Sequence, residues 1–369
     1  MDTGVFQFAD SLGPAKILYL QDQQAGLQAI VVVDNVVLGT AIGGVRMAVD
    51  VTAEEAFRLA RAMTLKNSVA GLPHGGGKSV IIGDPAMDLR KKEQIIRAFA
   101  RGIQDFQEYV PGPDMGTNEL CMGWIKEEIG RAIGLPRKMG GIPLDEIGAT
   151  GWGVSHAIDA ALRRMDQTVS GKRVVVQGFG AVGSHAARFL ALRGAVIVAV
   201  GDVDSAVIDP DGLDMGQLWG LHENNLPISE YVGGRKAAPE ALLEIPCDIW
   251  IPAARPDVIH MDNVHRLNTK MIAQGANIPL TLEAEEWLHQ QGVLVLPDFI
   301  ANAGGVICGA MEYAGSDDPT VFRTIRERVR MNVEQMLEMV AREKITPRKA
   351  GMKMALARIQ EAKAHPRVA

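Results

Sequence analysis

Two lysines, Lys66 and Lys78, stand twelve residues apart, and the second closes the run Gly75-Gly76-Gly77-Lys78. A glycine run removes side chains from the backbone and suggests that a small molecule approaches closely. A charged ammonium can hold a carboxylate, and a desolvated amine can polarise water or exchange a proton. A carboxyl group, Asp114, sits between turn-forming residues in Pro111–Asn118. Taken singly, lysines are usually solvated and an aspartate so placed is a turn or cap residue. The case for chemistry rests on the three groups occurring together with a nucleotide motif.

That motif is Gly178-Phe179-Gly180-Ala181-Val182-Gly183, which follows an apolar β-branched run and opens a helical pattern. The first glycine allows a tight turn, the second lets the backbone reach a pyrophosphate, and the third allows close helix–strand contact. The pyrophosphate would rest on the helix N-terminus. The following strand leads to Asp202, nineteen residues beyond Gly183. A carboxylate there would hydrogen-bond a ribose 2′-hydroxyl and repel a 2′-phosphate, which favours NAD over NADP. Asp204 is a rival for that contact, and the plainer alternative has Asp202 capping a loop. The Gly71–Lys78 stretch is not a phosphate-cradling P-loop, because Leu72 stands where Gly is needed. His74 reads as structural, and the remaining histidines lack ligand spacing, so no metal is expected.

These groups need elements to position them. Thr52 and Glu55 form a capping box opening a helix to about Ala70, and Leu59, Met63 and Lys66 share one of its faces. Further helices are predicted over about 88–106 and 118–134, with a strand or hairpin at 29–38. The glycine run at 75–77 and the segment 111–118 read as loops. From Thr150 the pattern becomes helix 152–164, strand 173–177, helix 182–192 and strand 195–200, with later strands at 248–251, 271–274 and 293–296. Short apolar strands alternating with helices imply a doubly wound parallel sheet. Two long amphipathic helices close the chain, about 318–344 and 347–363.

The 369 residues suggest two or three domains. Basic residues number 38 and acidic residues 44, which argues against a protein devoted to nucleic-acid backbones. Three cysteines (Cys121, Cys247 and Cys308) at wide spacing imply a reducing compartment without a disulfide framework. Met1–Gly4 carries no basic stretch leading into an apolar run, and Leu27–Val45 is too interrupted to span a bilayer. A cytoplasmic protein without membrane or nucleic-acid partners is expected.

The stretches Gly43–Arg46, Met63–Asn67, Leu72–Lys78, Gly112–Asn118, Ala149–Gly153, Gly178–Gly183, Gln274–Asn277 and Ala301–Val306 occur together and in order. In this the chain resembles the glutamate/leucine/phenylalanine/valine dehydrogenase superfamily over roughly residues 30–315. The resemblance implies an N-terminal α/β substrate and oligomerisation domain (1–145 plus 330–369), a Rossmann NAD-binding domain (146–329), and an active-site cleft between them. It implies reversible oxidative deamination of an L-amino acid to a 2-oxo acid and ammonia, in a homo-oligomer. By the same resemblance Lys66 binds the substrate α-carboxylate, Lys78 is the catalytic lysine and Asp114 the proton carrier. Thr150 meets the nicotinamide carboxamide, Asn277 lies by its ribose, and Ala253 joins Gly178–Gly183 and Asp202 around NAD.

The remaining substrate contacts implied are Ile42, Gly43, Met63, Gly112, Asn302, Val306 and Gly309. Two depart from the glutamate branch, where a lysine stands at the position of Ile42 and a serine at that of Gly309. An ionised side-chain carboxylate facing Ile42, Met63 and Val306 would be desolvated without a partner. A nonpolar substrate is therefore expected, and Gly112 and Gly309 remove wall volume in favour of a bulky one. Gly112-Pro113-Asp114 and Asn277-Ile278-Pro279 look more glutamate-like. Glutamate dehydrogenase, with Arg46 as the carboxylate receptor, and a silent NAD-binding relative are the alternatives.

Overall fold

The computed structural model describes residues 7–365; Met1–Gly4, read above for a leader, lie outside them. Contacts divide the chain into two units. The first holds the residues up to Leu144, Val306–Val321 and those from Met354 onward; the second holds Asp145–Gly305 and Phe322–Lys353.

In the first unit, strands β1 (Lys16–Asp22), β2 (Leu27–Asn35), β3 (Ala41–Ala48), β4 (Gly75–Ile82) and β5 (Tyr109–Pro113) form one sheet, ordered β1-β2-β4-β3-β5. β3 runs parallel to β4 and β5, while β2 is antiparallel to β1 and β4. Its helices are α1 (Ala53–Val69), α2 (Leu89–Gly102) and α3 (Glu119–Ile129). Each starts at a side-chain cap: the Thr52 hydroxyl accepts from Glu55 N, Asp88 from Arg90 N and Lys91 N, and Asn118 from Cys121 N. α3 stops at Gly130, in the left-handed region at φ 74°, short of the predicted 134. Alternation along the strands sends Val31, Val33, Val45, Met47 and Ile81 to the α2–α3 face, with Phe99 and Ile125. Val32 and Val80 meet Ala56, Phe57 and Ala60 of α1 on the other. Burying a side chain such as Phe99 contributes about 1.5–3 kcal/mol.

The second unit contains α4 (Ala149–Arg164), β6 (Arg173–Gln177), α5 (Ala181–Ala191), β7 (Val196–Gly201), β8 (Ala206–Ile208), α6 (Met215–Glu223), β9 (Arg235–Ala237), β10 (Ile249–Pro252), β11 (Met271–Ala273), α7 (Leu282–Gln290), β12 (Leu294–Leu296) and α8 (Asp298–Ala301). The sheet order is β12-β11-β10-β6-β7-β8-β9. The five strands from β12 to β7 are parallel, and β8 and β9 add an antiparallel edge. Val174, Val175 and Val176 are fully buried, as expected for a strand covered on both faces. The strand order reverses beside β6, which is where a doubly wound sheet binds its ligand.

Three helices remain: α9 (Gly304–Tyr313), α10 (Asp318–Glu343) and α11 (Pro347–Ala364). Contacts divide this region differently from a block 330–369. Val306–Val321 packs with the first unit, where the Glu312 carboxylate accepts from Leu135 N at 3.1 Å and Ile142 N at 2.9 Å. Phe322–Lys353 packs with the second, where Trp152 Nε1 donates to the Phe322 carbonyl at 2.9 Å. Among the described residues no helix is long and apolar enough to cross a membrane.

Candidate active site

Lys78 lies inside β4, not in a glycine loop, and Asp114 directly follows β5, where a loop was expected. Backbone packing explains both. A Cβ at Gly76 would sit 2.0 Å from Thr64 N of α1, one at Gly77 2.9 Å from the Tyr109 ring, and one at Gly75 1.8 Å from the Asn35 carbonyl oxygen. The triple glycine thus lets neighbouring backbone close on the strand; the space it frees is filled by protein rather than left for a small molecule. Gly44 serves Asp114 in the same way, since a Cβ there would meet the Asp114 Cβ at 2.7 Å. Gly43 presses on β4, its Cβ position lying 1.7 Å from the Gly77 carbonyl oxygen.

Period-two alternation places Ile42, Arg46 and Lys78 on the sheet face covered by α1. There Lys78 Nζ stands 2.6 Å from Asp114 Oδ2, with only 8% of the lysine side chain exposed. Arg46 Nε donates to the same oxygen at 3.0 Å, and Arg46 Nη1 to Glu55 Oε1 at 2.5 Å. Glu55, read as the second half of a capping box, spends its carboxylate on Arg46. Arg46 and Glu55 are the neighbours that sequence reading did not assign to this cluster. Lys66 is half-buried in the last turn of α1, with Met63 one turn before it. His74 is buried, its Nδ1 3.2 Å from the Thr40 carbonyl oxygen, and burial lowers its pKa.

Burial drives the Lys78 pKa below its ordinary 10.5; Asp114 pushes it back up, and Arg46 adds to the fall. For Asp114 burial acts upward, but Lys78 and Arg46 outweigh it and the carboxyl titrates below 3.8. The pair therefore supplies a proton acceptor that stays ionised and an amine that releases its proton early. Between the lowered Lys78 pKa and 10.5 the folded chain binds fewer protons than the unfolded one, so this group's contribution to stability rises with pH. Asp114→Asn removes the largest upward influence on Lys78. The onset of Lys78 modification by an amine reagent should then move to lower pH. A higher or unchanged onset would contradict the pairing.

Ile42 is 2% exposed on β3, opposite Gly76 and Val110. Gly112 lies on β5, and Val306 and Gly309 on α9. The volume released by the two glycines is occupied, contrary to the expectation of an enlarged pocket. A Cβ at Gly112 would lie 2.9 Å from Ile133 Cγ1, and one at Gly309 2.7 Å from Ile133 Cδ1. Ile133 follows the end of α3 and carries no periodic or motif signal, so sequence reading missed it.

In the second unit the Gly178–Gly183 turn joins β6 to α5. Gly178 has φ 91°, and a Cβ there would strike the Ala253–Ala254 backbone within 2.8 Å. At Gly183 a Cβ would lie 1.9 Å from the Gly178 carbonyl oxygen, whereas at Gly180 it would meet nothing within 4 Å. α5 opens at Gly180 without a side-chain cap. An open glycine face before an uncapped helix N-terminus fits a pyrophosphate, so the residues present suit a dinucleotide. Phe179 is buried, and Ala181 and Val182 form the first turn of α5.

Asp202 follows β7 and also caps its loop: Oδ1 accepts from Asp204 N at 3.0 Å and Ser205 N at 2.8 Å, and Oδ2 from Ile228 N at 2.9 Å. Partial burial raises its pKa, but these backbone donors lower it further, so it stays anionic. Thr150 is the second residue of α4, and Asn277 is exposed beyond β11. Asn302 Nδ2 donates to the Gly275 and Ala276 carbonyls, each at 3.2 Å, and to Asn277 Oδ1 at 3.0 Å. Its own Oδ1 is buried without a partner. Asn302 thus braces the segment carrying Asn277. Among the described residues no cluster of three or more His, Cys, Asp or Glu could hold a metal ion.

Comparison with known proteins brings in independent findings. Residues 140–366 match the family model described as Glutamate/Leucine/Phenylalanine/Valine dehydrogenase, and residues 14–131 that of the Glu/Leu/Phe/Val dehydrogenase dimerisation domain. A NADP-specific glutamate dehydrogenase of Saccharolobus shibatae is 38% identical over 295 residues, 76% of this chain and 70% of the relative. A NAD-specific glutamate dehydrogenase of Staphylococcus aureus is 33% identical over 347 residues, 89% of this chain and 83% of the relative. The hetero-hexameric glutamate dehydrogenase of Thermus thermophilus, in its Leu-bound form, superposes with TM-score 0.85 at 27% identity, covering 96% of this chain and 91% of that one. The L-tryptophan dehydrogenase of Nostoc punctiforme shares the fold, with TM-score 0.76 at 24% identity, covering 97% and 99%.

Proposed function

The chain belongs to the Glutamate/Leucine/Phenylalanine/Valine dehydrogenase family, and from that premise we propose that it oxidatively deaminates nonpolar L-amino acids with NAD. Membership makes it an amino acid dehydrogenase using a nicotinamide dinucleotide; the nonpolar substrate and the choice of NAD are our own reading.

The observation that carries the substrate reading is the set of partners of Arg46. The residue that could replace a missing lysine at Ile42 is committed to Asp114 and Glu55. A second carboxylate beside Ile42 would lose its hydration and gain no cation from Arg46. In this reading Lys66 holds the substrate α-carboxylate and aims the Cα hydrogen. The bound dinucleotide supplies the hydride acceptor. Asp114 takes a proton from the substrate ammonium, the Cα hydride departs, and Lys78, neutral in part, takes a proton from the water that adds to the resulting iminium carbon. Asp114 returns its proton to the nitrogen, ammonia leaves the carbinolamine, and the hydroxyl proton passes to solvent as the 2-oxo acid forms. NAD is favoured because Asp202 is anionic and would repel a 2′-phosphate. A homo-oligomer completes the reading, supported by the match to the dimerisation-domain model.

Glutamate is the second reading, favoured by the names of the relatives at 33–38% identity. A panel of leucine, phenylalanine and glutamate, each with NAD and with NADP, separates the two. Turnover of glutamate above both nonpolar substrates would overturn ours. The panel repeated on Ile133→Val tests the pocket wall. That change removes the Cδ1 that covers Gly309, at a stability cost of about 0.5–1.5 kcal/mol. The kcat/KM ratio of phenylalanine over leucine should rise about tenfold; an unchanged ratio would place Ile133 outside the pocket.

A further inference from the structure

The second unit holds another polar cavity, about 450 Å³ in volume, away from the glycine turn. Four arginines line it: Arg163 of α4, Arg193 after α5, and Arg326 and Arg330 of α10. The lining carboxylates are Asp159 and Glu327, and Glu334 pairs with Arg330, which leaves one positive charge in excess. Arg163 Nε pairs with Asp159 at 2.9 Å, Arg330 Nε turns to Glu334 at 2.9 Å, and Arg326 approaches Glu327 only to 3.8 Å. Arg193 makes no ion pair among the described residues. Its guanidinium donates to His156 Nε2 at 2.6 Å and lies 5.3 Å from the Trp152 ring centre.

His156 is buried, and burial together with Arg193, Arg326, Arg330 and Arg163 holds its pKa near about 3. The imidazole is therefore neutral and accepts from Arg193 without adding charge. Guanidiniums gathered this closely repel one another, and a multiply charged anion relieves that repulsion while filling their donor forks.

We infer that this cavity binds a phosphate group, as inorganic phosphate or as a phosphate monoester. Near pH 7 such a group carries about −1.5 to −2 charge and offers three acceptor oxygens to the guanidinium forks. A monocarboxylate offers two acceptor oxygens, fewer than the clustered guanidinium forks can engage. The cavity exceeds the phosphate itself, which leaves room for the organic part of an ester. The inference does not depend on the amino-acid substrate.

Calorimetric titration of the full chain at low salt tests it, with inorganic phosphate and glycerol 2-phosphate as probes. The wild type should bind one phosphate group per chain at this site. The double variant Arg326→Gln/Arg330→Gln should weaken binding at least about tenfold, the loss expected for charge-assisted hydrogen bonds. Both side chains are about half exposed (49% and 48%), so this variant keeps the fold. Arg193→Gln should weaken it similarly. Equal affinity for the two probes supports recognition of phosphate alone, and tighter binding of glycerol 2-phosphate supports an ester as the ligand. Absence of binding at millimolar probe overturns the inference. So does binding unchanged in the double variant, which would put the anion elsewhere, such as the α5 N-terminus.

Discussion

Lys78→Met should lower turnover of every substrate by about 10²–10⁴-fold while leaving nicotinamide dinucleotide affinity within about twofold. Methionine keeps the length of the buried stem and removes only the amine, so the β4 packing against Thr64 and Tyr109 survives. Asp114 retains Arg46 as a cation after the change, at 3.0 Å, so the carboxylate is not stranded. The dinucleotide turn lies in the other unit and shares no residue with this cluster. Steady-state kinetics and fluorescence titration with the reduced dinucleotide measure the two quantities. Turnover within tenfold of wild type would remove Lys78 from the chemistry, whatever the substrate.

Arg348→Met should destabilise the second unit by about 3–5 kcal/mol, the cost of removing one partner from a buried charge network. Arg348 donates to Glu285 at 2.6 and 2.7 Å, to Asp298 at 2.9 Å and to Gln274 at 3.1 Å. The Glu285 and Asp298 side chains are only 7% and 8% exposed. Without the guanidinium both carboxylates stay desolvated and lose their cation. Thermal unfolding should show a fall in Tm on the order of 10 °C at neutral pH. An unchanged Tm would mean that water already screens the network. Asp298 also accepts from Ile278 N at 3.0 Å, so the loss reaches the segment bearing Asn277.

Features set by neighbours in the chain were legible before the fold was known. The glycine turn after β6 and the Thr52 cap of α1 each carry their signal within a few residues, and both stand where expected. β4 and β5 were missed because Gly75–Gly77 and Pro111–Pro113 have poor intrinsic strand preference. Gly75–Gly77 become a strand through contacts with Asn35, Thr64 and Tyr109, none adjacent in sequence. The prolines of β5 are tolerated because β5 is an edge strand of its sheet. Lys78 and Asp114 were identified as a pair by type; that Arg46 and Glu55 complete the cluster became visible only once β3 and α1 were set beside them. Ile133 had no local signal at all, because its role depends on two distant glycines.

The clasp made by Glu312 bears on how the substrate preference could change over evolutionary time. One carboxylate on α9 grips both ends of the segment from Leu135 to Ile142, while the same helix carries Val306 and Gly309. Helix α9 and the segment after α3 are thereby riveted into one block. Substitutions at 133 and 309 should prove epistatic, with coupling of about 0.5–3 kcal/mol. A library that varies one position at a time would overlook the productive combinations.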